Sequence, residues 1–148
     1  MIQLILHLIG DYVTQSDWMA QNKTKRSWPA LCHAVVYSLP FLLLQPSIAA
    51  FSVILGTHFL IDRFRLARFL VWGKNRLFFF GRRKRPSYGI SGAYGCWDYT
   101  DDFKRMSWEN CKETGYPKDS PAWLSVWLLI AADNTLHLAI NFAALSWL

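Results

Sequence analysis

Positive charge is missing from three long stretches of this 148-residue chain. Its 16 Lys and Arg all fall within residues 23–26 and 63–118, and residues 1–22, 27–62 and 119–148 contain none. The net charge of +6 therefore does not describe a nucleic-acid surface; basic residues segregated into two windows are what the positive-inside rule leaves in a membrane protein. Cysteine is also scarce. Cys32, Cys96 and Cys111 form no CxxC pair and are odd in number, which excludes a disulfide framework and a zinc finger. Cys32 is expected to pack in the core, and the other two to be free thiols on the reducing side. The N-terminus lacks a basic region ahead of its apolar stretch, and that stretch carries His7, Asp11 and Gln15, so no cleavable signal is expected.

Apolar side chains are abundant. Hydrophobic residues make up 53% of the chain, with eight Trp and ten Phe, and they lie in blocks with few charges. The expected fold is all-α, a four-transmembrane-helix bundle in a single membrane domain, residues 1–148. Helices are expected at about 1–21, 29–45, 47–72 and 122–148, with a soluble excursion over 74–121 between the third and fourth. Pro29 suits a first helical turn, and Pro40 is expected to kink the second helix. The third helix is expected to run on past Asp62 as a basic amphipathic extension suited to the headgroup layer. Residues 74–121 turn basic at Arg82–Arg85, then rich in Gly, Tyr and Asp; Phe78–Phe80, Trp97 and Trp108 are expected to hold this excursion against the membrane surface or the bundle mouth. Basic segments on the inside give four crossings of the inner (cytoplasmic) membrane of a bacterium, both termini periplasmic and the main loop cytoplasmic.

The polar residues within the apolar blocks are the informative ones. His58 and Asp62 are four apart and share a helix face. His7 and Asp11 repeat the pair, Asp133 and His137 repeat it in reverse order, and His33 occupies the remaining block. An isolated ionised group is costly in hydrocarbon and a coordinated one is not. His7, Asp11, His33, His58, Asp62, Asp133 and His137 are therefore expected to ligate one or two divalent ions, zinc foremost, with manganese, iron or nickel also compatible. The competing account of the same residues is buried ion pairing without metal. Counted along the helices, the groups spread over several depths, which predicts an elongated site in the cytoplasmic half.

A metal with open positions ionises bound water near neutral pH and polarises a phosphoryl or carbonyl oxygen. Asp11, Asp62 and Asp133 are the candidate catalytic carboxylates. Gln15, Lys23, Arg63, Arg65 and Asn134 are the candidate substrate contacts, with Asn141 a further polar group in the last helix. Lys23, Arg63 and Arg65 serve equally well as topology and headgroup anchors.

The segments His7-Leu-Ile-Gly-Asp11 with Gln15, Trp18, Ala20 and Lys23, then Ala30-Leu-Cys-His33-Ala34, His58-Phe-Leu-Ile-Asp62-Arg63 and Ala132-Asp133-Asn134-Thr-Leu-His137 together resemble an uncharacterised family of small integral membrane proteins of tailed phages and bacteria. Thr57-His58-Phe59-Leu60-Ile61-Asp62 is similar, more loosely, to membrane-bound metal-dependent hydrolases with an SHLLLD-like motif, matching their His and Asp. The expectation is a membrane-embedded metal-dependent hydrolase acting on a phosphoester of a lipid, nucleotide or host metabolite. The alternative is a non-enzymatic phage membrane protein, either a metal-ion carrier or a modulator of the host envelope or defence. Membrane lipid is the expected partner in both.

Overall fold

The computed structural model describes residues 1–79 and 105–148, and every regular element among them is helical. Arg82–Arg85, Cys96, Trp97 and the Gly/Tyr/Asp-rich stretch lie outside the described residues. The chain forms two compact units, one of Met1–Ala67 with Ile130–Leu148 and one within Arg68–Leu129.

In the first unit, α1 (Ile2–Leu8) runs into a π-helical turn at Ile9–Val13, and α2 (Asp17–Asn22) follows after a break. The expected first helix is thus interrupted. Ser16 starts α2 by accepting a hydrogen bond from Met19 N at its Oγ, a local bond that competes with continuing the preceding helix. Helix α3 (Ser27–Ser38) becomes a 3₁₀ segment at Leu39–Leu44, which ends on Gln45 in the left-handed region at φ 49°. Pro40 supplies the reason, since it cannot donate to the carbonyl one α-turn back. Ser47 caps α4 (Ile48–Phe64) by accepting from Ala50 N at 3.0 Å.

Helix α4 stops sooner than its composition suggests. Arg65 takes a left-handed conformation at φ 52°, with Arg65 N donating to Asp62 O and Leu66 N to Ile61 O. That pairing is a Schellman closure, normally built on glycine. The expected basic extension is consequently a separate helix, α5 (Ala67–Phe79). In the second unit, α5 meets α6 (Trp108–Cys111) through stacked Phe69 and Trp108 rings 4.7 Å apart, a Trp72 Nε1 bond to Met106 O and buried Cys111. Trp108 thus packs on this unit's own aromatics. Cys111 is a free thiol, as expected, and buried; Cys32, expected in the core, is half-buried. The long α7 (Ala122–Trp147) contributes to both units.

The first unit buries its polar side chains beside a small apolar core of Leu6, Tyr37, Phe41, Ala50, Ile54 and Ala144, and carries many apolar side chains on its outside. Along α3 and its 3₁₀ extension, Trp28, Leu31, Val35, Leu39 and Leu42 face outward at helical spacing, while His33, Ala34, Tyr37, Ser38 and Phe41 are buried. On α1 and its π-turn, Ile2, Ile5, Leu8 and Tyr12 are exposed, and Leu6, His7 and Asp11 are not. Two segments, Ser27–Leu44 and Ala122–Trp147, are long and apolar enough to cross a membrane. Ile2–Val13 and the 17-residue α4 are shorter than the roughly 20 residues of a perpendicular crossing.

Candidate metal centre

Four helical segments of the first unit deliver their polar side chains to one place. The π-turn supplies Asp11, α3 supplies His33, α4 supplies His58 and Asp62 from successive turns of one face, and α7 supplies Asp133 and His137. One ligand atom from each of Asp11, His33, His58 and Asp62 lies within 4.8 Å of all the others, and Asp62, Asp133 and His137 form a second such group. Asp62 belongs to both.

Four of the six spacings within the first group are those of a coordination shell. His33 Nε2 is 3.1 Å from Asp11 Oδ1, 3.2 Å from Asp62 Oδ2 and 3.0 Å from His58 Nε2, and His58 Nε2 is 3.3 Å from Asp62 Oδ2. Ligands about 2.0–2.1 Å from a tetrahedral zinc stand roughly 3.3 Å from one another. Hydrogen bonding accounts for only part of the same contacts: His33 Nε2 is within hydrogen-bond reach of both Asp11 Oδ1 and His58 Nε2, and one nitrogen cannot donate to the first while accepting from the second. Two imidazole nitrogens face each other, and Asp62 Oδ2 is buried with no aligned hydrogen bond among the described residues despite three nitrogens within 3.3 Å. Buried polar atoms are normally satisfied. A cation resolves such a crowding of lone pairs around Asp62 Oδ2. The buried Asp/His cluster can hold a metal ion.

Beside this group, His137 bridges to the second. His137 Nδ1 is 3.2 Å from His58 Nδ1, while its Nε2 is 3.5 Å from both Asp62 Oδ1 and Asp133 Oδ2. Asp62 thus presents Oδ2 to the first group and Oδ1 to His137. Asp133 is the more open end, with 26% of its side chain exposed.

A cation is already present. Lys23, on the turn between α2 and α3, extends Nζ to 2.8 Å from Asp62 Oδ2, 3.1 Å from His33 Nε2 and 3.5 Å from Asp11 Oδ1. Burial works against its charge, but Asp62 and Asp11 outweigh burial and hold the ammonium's proton above the usual lysine range. The side chain is 17% exposed.

Behind the cluster runs a neutral hydrogen-bonded layer. Tyr37 lies one helical turn after His33, stacks on the His58 ring at 3.5 Å and receives Asn141 Nδ2 at 2.6 Å on its hydroxyl. His7 Nδ1 is 2.8 Å from that hydroxyl, and His7 Nε2 is 3.3 Å from Asn134 Oδ1, which also accepts from Tyr12 Oη at 3.2 Å. His7 is therefore engaged outside both ligand groups, although it sits four residues before Asp11. The π-turn between them changes the angular step, so the pair does not aim at one point. Sequence spacing alone missed Tyr37 and Tyr12 as parts of this layer; the i, i+4 relation of His33 and Tyr37 was the available signal for the first.

The candidate substrate contacts fall in different places. Asn134 belongs to the His7 layer. Gln15 Oε1 is buried without a hydrogen-bond partner among the described residues. Arg63 turns away from the cluster, with Nε donating to Ser27 Oγ at 3.2 Å and Nη1 to Thr24 O at 3.0 Å, which ties α4 to the turn that bears Lys23. Arg65 forms the left-handed close of α4 with its backbone.

Fold and site together define an all-helical protein whose histidines are gathered in a buried, carboxylate-rich interior beneath an apolar exterior. Residues 1–80 match the family described as "Protein of unknown function (DUF3307)", and the chain belongs to that family. The matched stretch contains Asp11, Lys23, His33, His58 and Asp62 and ends before Asp133 and His137. No curated protein and no solved structure matches the chain.

Proposed function

We propose that the protein is a membrane-embedded metal-dependent hydrolase, with one divalent ion held by Asp11, His33, His58 and Asp62 and a phosphoester of a lipid, nucleotide or host metabolite as substrate. The observation that carries this reading is the coordination-like spacing of those four ligand atoms inside a unit whose exterior is apolar. Four crossings of a bacterial inner membrane accommodate that exterior, with α1 and α4 tilted or reaching only into the interface, and keep the basic turn at 23–26 in the cytoplasm. Zinc suits the donor set; manganese, iron and nickel accept it too, with room for more ligands.

Proton bookkeeping supports one ion over two. For His58 Nε2 to offer a lone pair, its proton must sit on Nδ1, where it faces His137 Nδ1. His137 then accepts there and carries its own proton on Nε2, facing Asp62 Oδ1 and Asp133 Oδ2. In that arrangement His137 and Asp133 orient His58 from behind and lead protons toward the open side, an outer-shell role common for metal-bound histidines. Two ions using both imidazoles would set two N–H groups against each other at 3.2 Å. When bound, such an ion supplies an ionised water near neutral pH and polarises a phosphoryl oxygen.

One observation favours a non-enzymatic reading: four protein ligands on one ion is the count of a closed site, where catalytic zinc keeps a position open. An assay separates the two. Zinc- or manganese-loaded protein in detergent should release phosphate or alcohol from at least one member of a panel of lipid and nucleotide phosphoesters, and Asp62→Asn should abolish turnover. Stoichiometric metal with no turnover across the panel would leave the carrier or modulator reading in place.

A further inference from the structure

The Lys23 ammonium lies where it conflicts with an ion in the cluster. Its Nζ stands 2.8, 3.1 and 3.5 Å from three of the four ligand atoms of the first group. An ion about 2.0–2.1 Å from those same atoms would sit roughly 3 Å from that nitrogen. Among the described residues, the ammonium's ion pairs are with Asp11 and Asp62, the carboxylates the ion would also use. The two cations also repel each other while competing for the same lone pairs of Asp11, His33 and Asp62.

We infer that Lys23 is a built-in placeholder cation, which holds the empty cluster together and is expelled toward the cytoplasmic mouth when a divalent ion enters. This rests on the metal-centre reading above. The lysine is suited to the exchange. It sits on the turn between α2 and α3, not inside a helix, its stem is partly exposed, and its neighbour Lys25 is already in solvent. A flexible four-carbon stem lets the ammonium swing outward while its backbone stays fixed. Arg63, bonded to Thr24 O and Ser27 Oγ, keeps that turn against α4 throughout. Departure of the ammonium also uncovers the face of the ligand set that it had covered. The closed count of four is thereby reconciled with an open coordination position: the protein's own side chain guards it until the ion arrives.

The wild-type full-length chain tests this without a variant. Detergent-purified protein is stripped with a chelator and labelled with an amine-acylating reagent, with and without saturating zinc, and modification of Lys23 is read by peptide mass spectrometry against Lys25. Zinc should raise Lys23 labelling on the order of tenfold or more, as expected when like charges expel one another, and leave Lys25 unchanged. In parallel, Lys23→Met and Lys23→Gln should bind zinc more tightly than wild type in a competition with a coloured chelator, two variants being used because the uncharged apo cluster is less well held. Stoichiometric zinc binding with Lys23 labelling unchanged or reduced would overturn the exchange and leave the metal centre standing. Absence of zinc binding in wild type and both variants would overturn the metal centre and the exchange with it.

Discussion

His58 joins the first ligand group to His137 and to the layer behind it. One nitrogen faces His33 and Asp62, the other faces His137, and the ring lies flat on Tyr37. Such a residue tests whether His137 is a ligand or stands behind one. His33→Ala should abolish stoichiometric metal binding, whereas His137→Ala should weaken it by about 10- to 100-fold, the usual loss for an outer-shell partner; equilibrium competition with a chelator measures both. Equal loss in the two variants would mean that His137 is a ligand and that the one-ion arrangement is wrong. Tyr37→Phe probes the layer behind. Removing the hydroxyl leaves His7 Nδ1 and Asn141 Nδ2 without a shared buried partner, at a cost of about 1–3 kcal/mol. Thermal unfolding in detergent should fall accordingly while metal content stays unchanged.

At the scale of elements, two interruptions place the ligands. The π-turn at Ile9–Val13 turns Asp11 toward His33, and Gly10 at its centre lets α1 lie directly on α3. A Cβ there would meet Tyr37 O at 2.7 Å and Tyr37 Cδ2 at 2.8 Å. Gly10→Ala should therefore push apart the two elements that carry Asp11 and His33. The expected outcome is a loss of about 1–3 kcal/mol in stability together with weakened metal binding, measured by unfolding and chelator competition on the same preparation. The second interruption, Arg65, closes α4 directly after Asp62. Neither was legible in the sequence. A π-turn has no composition of its own, and a left-handed helix end is announced by glycine, which is absent at 65. Pro40, by contrast, declared its break in advance, because a missing N–H is a property of the residue and not of its surroundings. The His58/Asp62 and Asp133/His137 pairs were legible for the same kind of reason, since i, i+4 on an unbroken helix leaves little freedom. His7/Asp11 misled because the helix between them is not regular, and Lys23 because its turn says nothing about where a long side chain points.

For the whole molecule, the first unit buries imidazoles and carboxylates beside a small apolar core and carries Trp, Leu and Val on its outside. In water these outer side chains would be exposed apolar surface. In a bilayer it is the stable arrangement, because intramembrane ionisable groups face the interior and find partners there. The protein should accordingly stay with the membrane fraction through an alkaline carbonate wash and leave it only with detergent. Reporter fusions at Ser47 and at the C-terminus should read as periplasmic. Release by carbonate would contradict the embedding, and a cytoplasmic reading at Ser47 would contradict the four-crossing topology.

The central claim is that the buried histidines and carboxylates converge on a bound ion. X-ray absorption on detergent-purified wild-type protein, after its metal has been identified and counted, tests that most directly. We predict about one divalent ion per chain in a nitrogen and oxygen shell near 2.0–2.1 Å, with the outer scattering of two imidazoles, and loss of the signal in His33→Ala and Asp62→Asn. Well-folded protein without stoichiometric metal, or an ion surrounded by water oxygens with no imidazole scattering, would contradict the account.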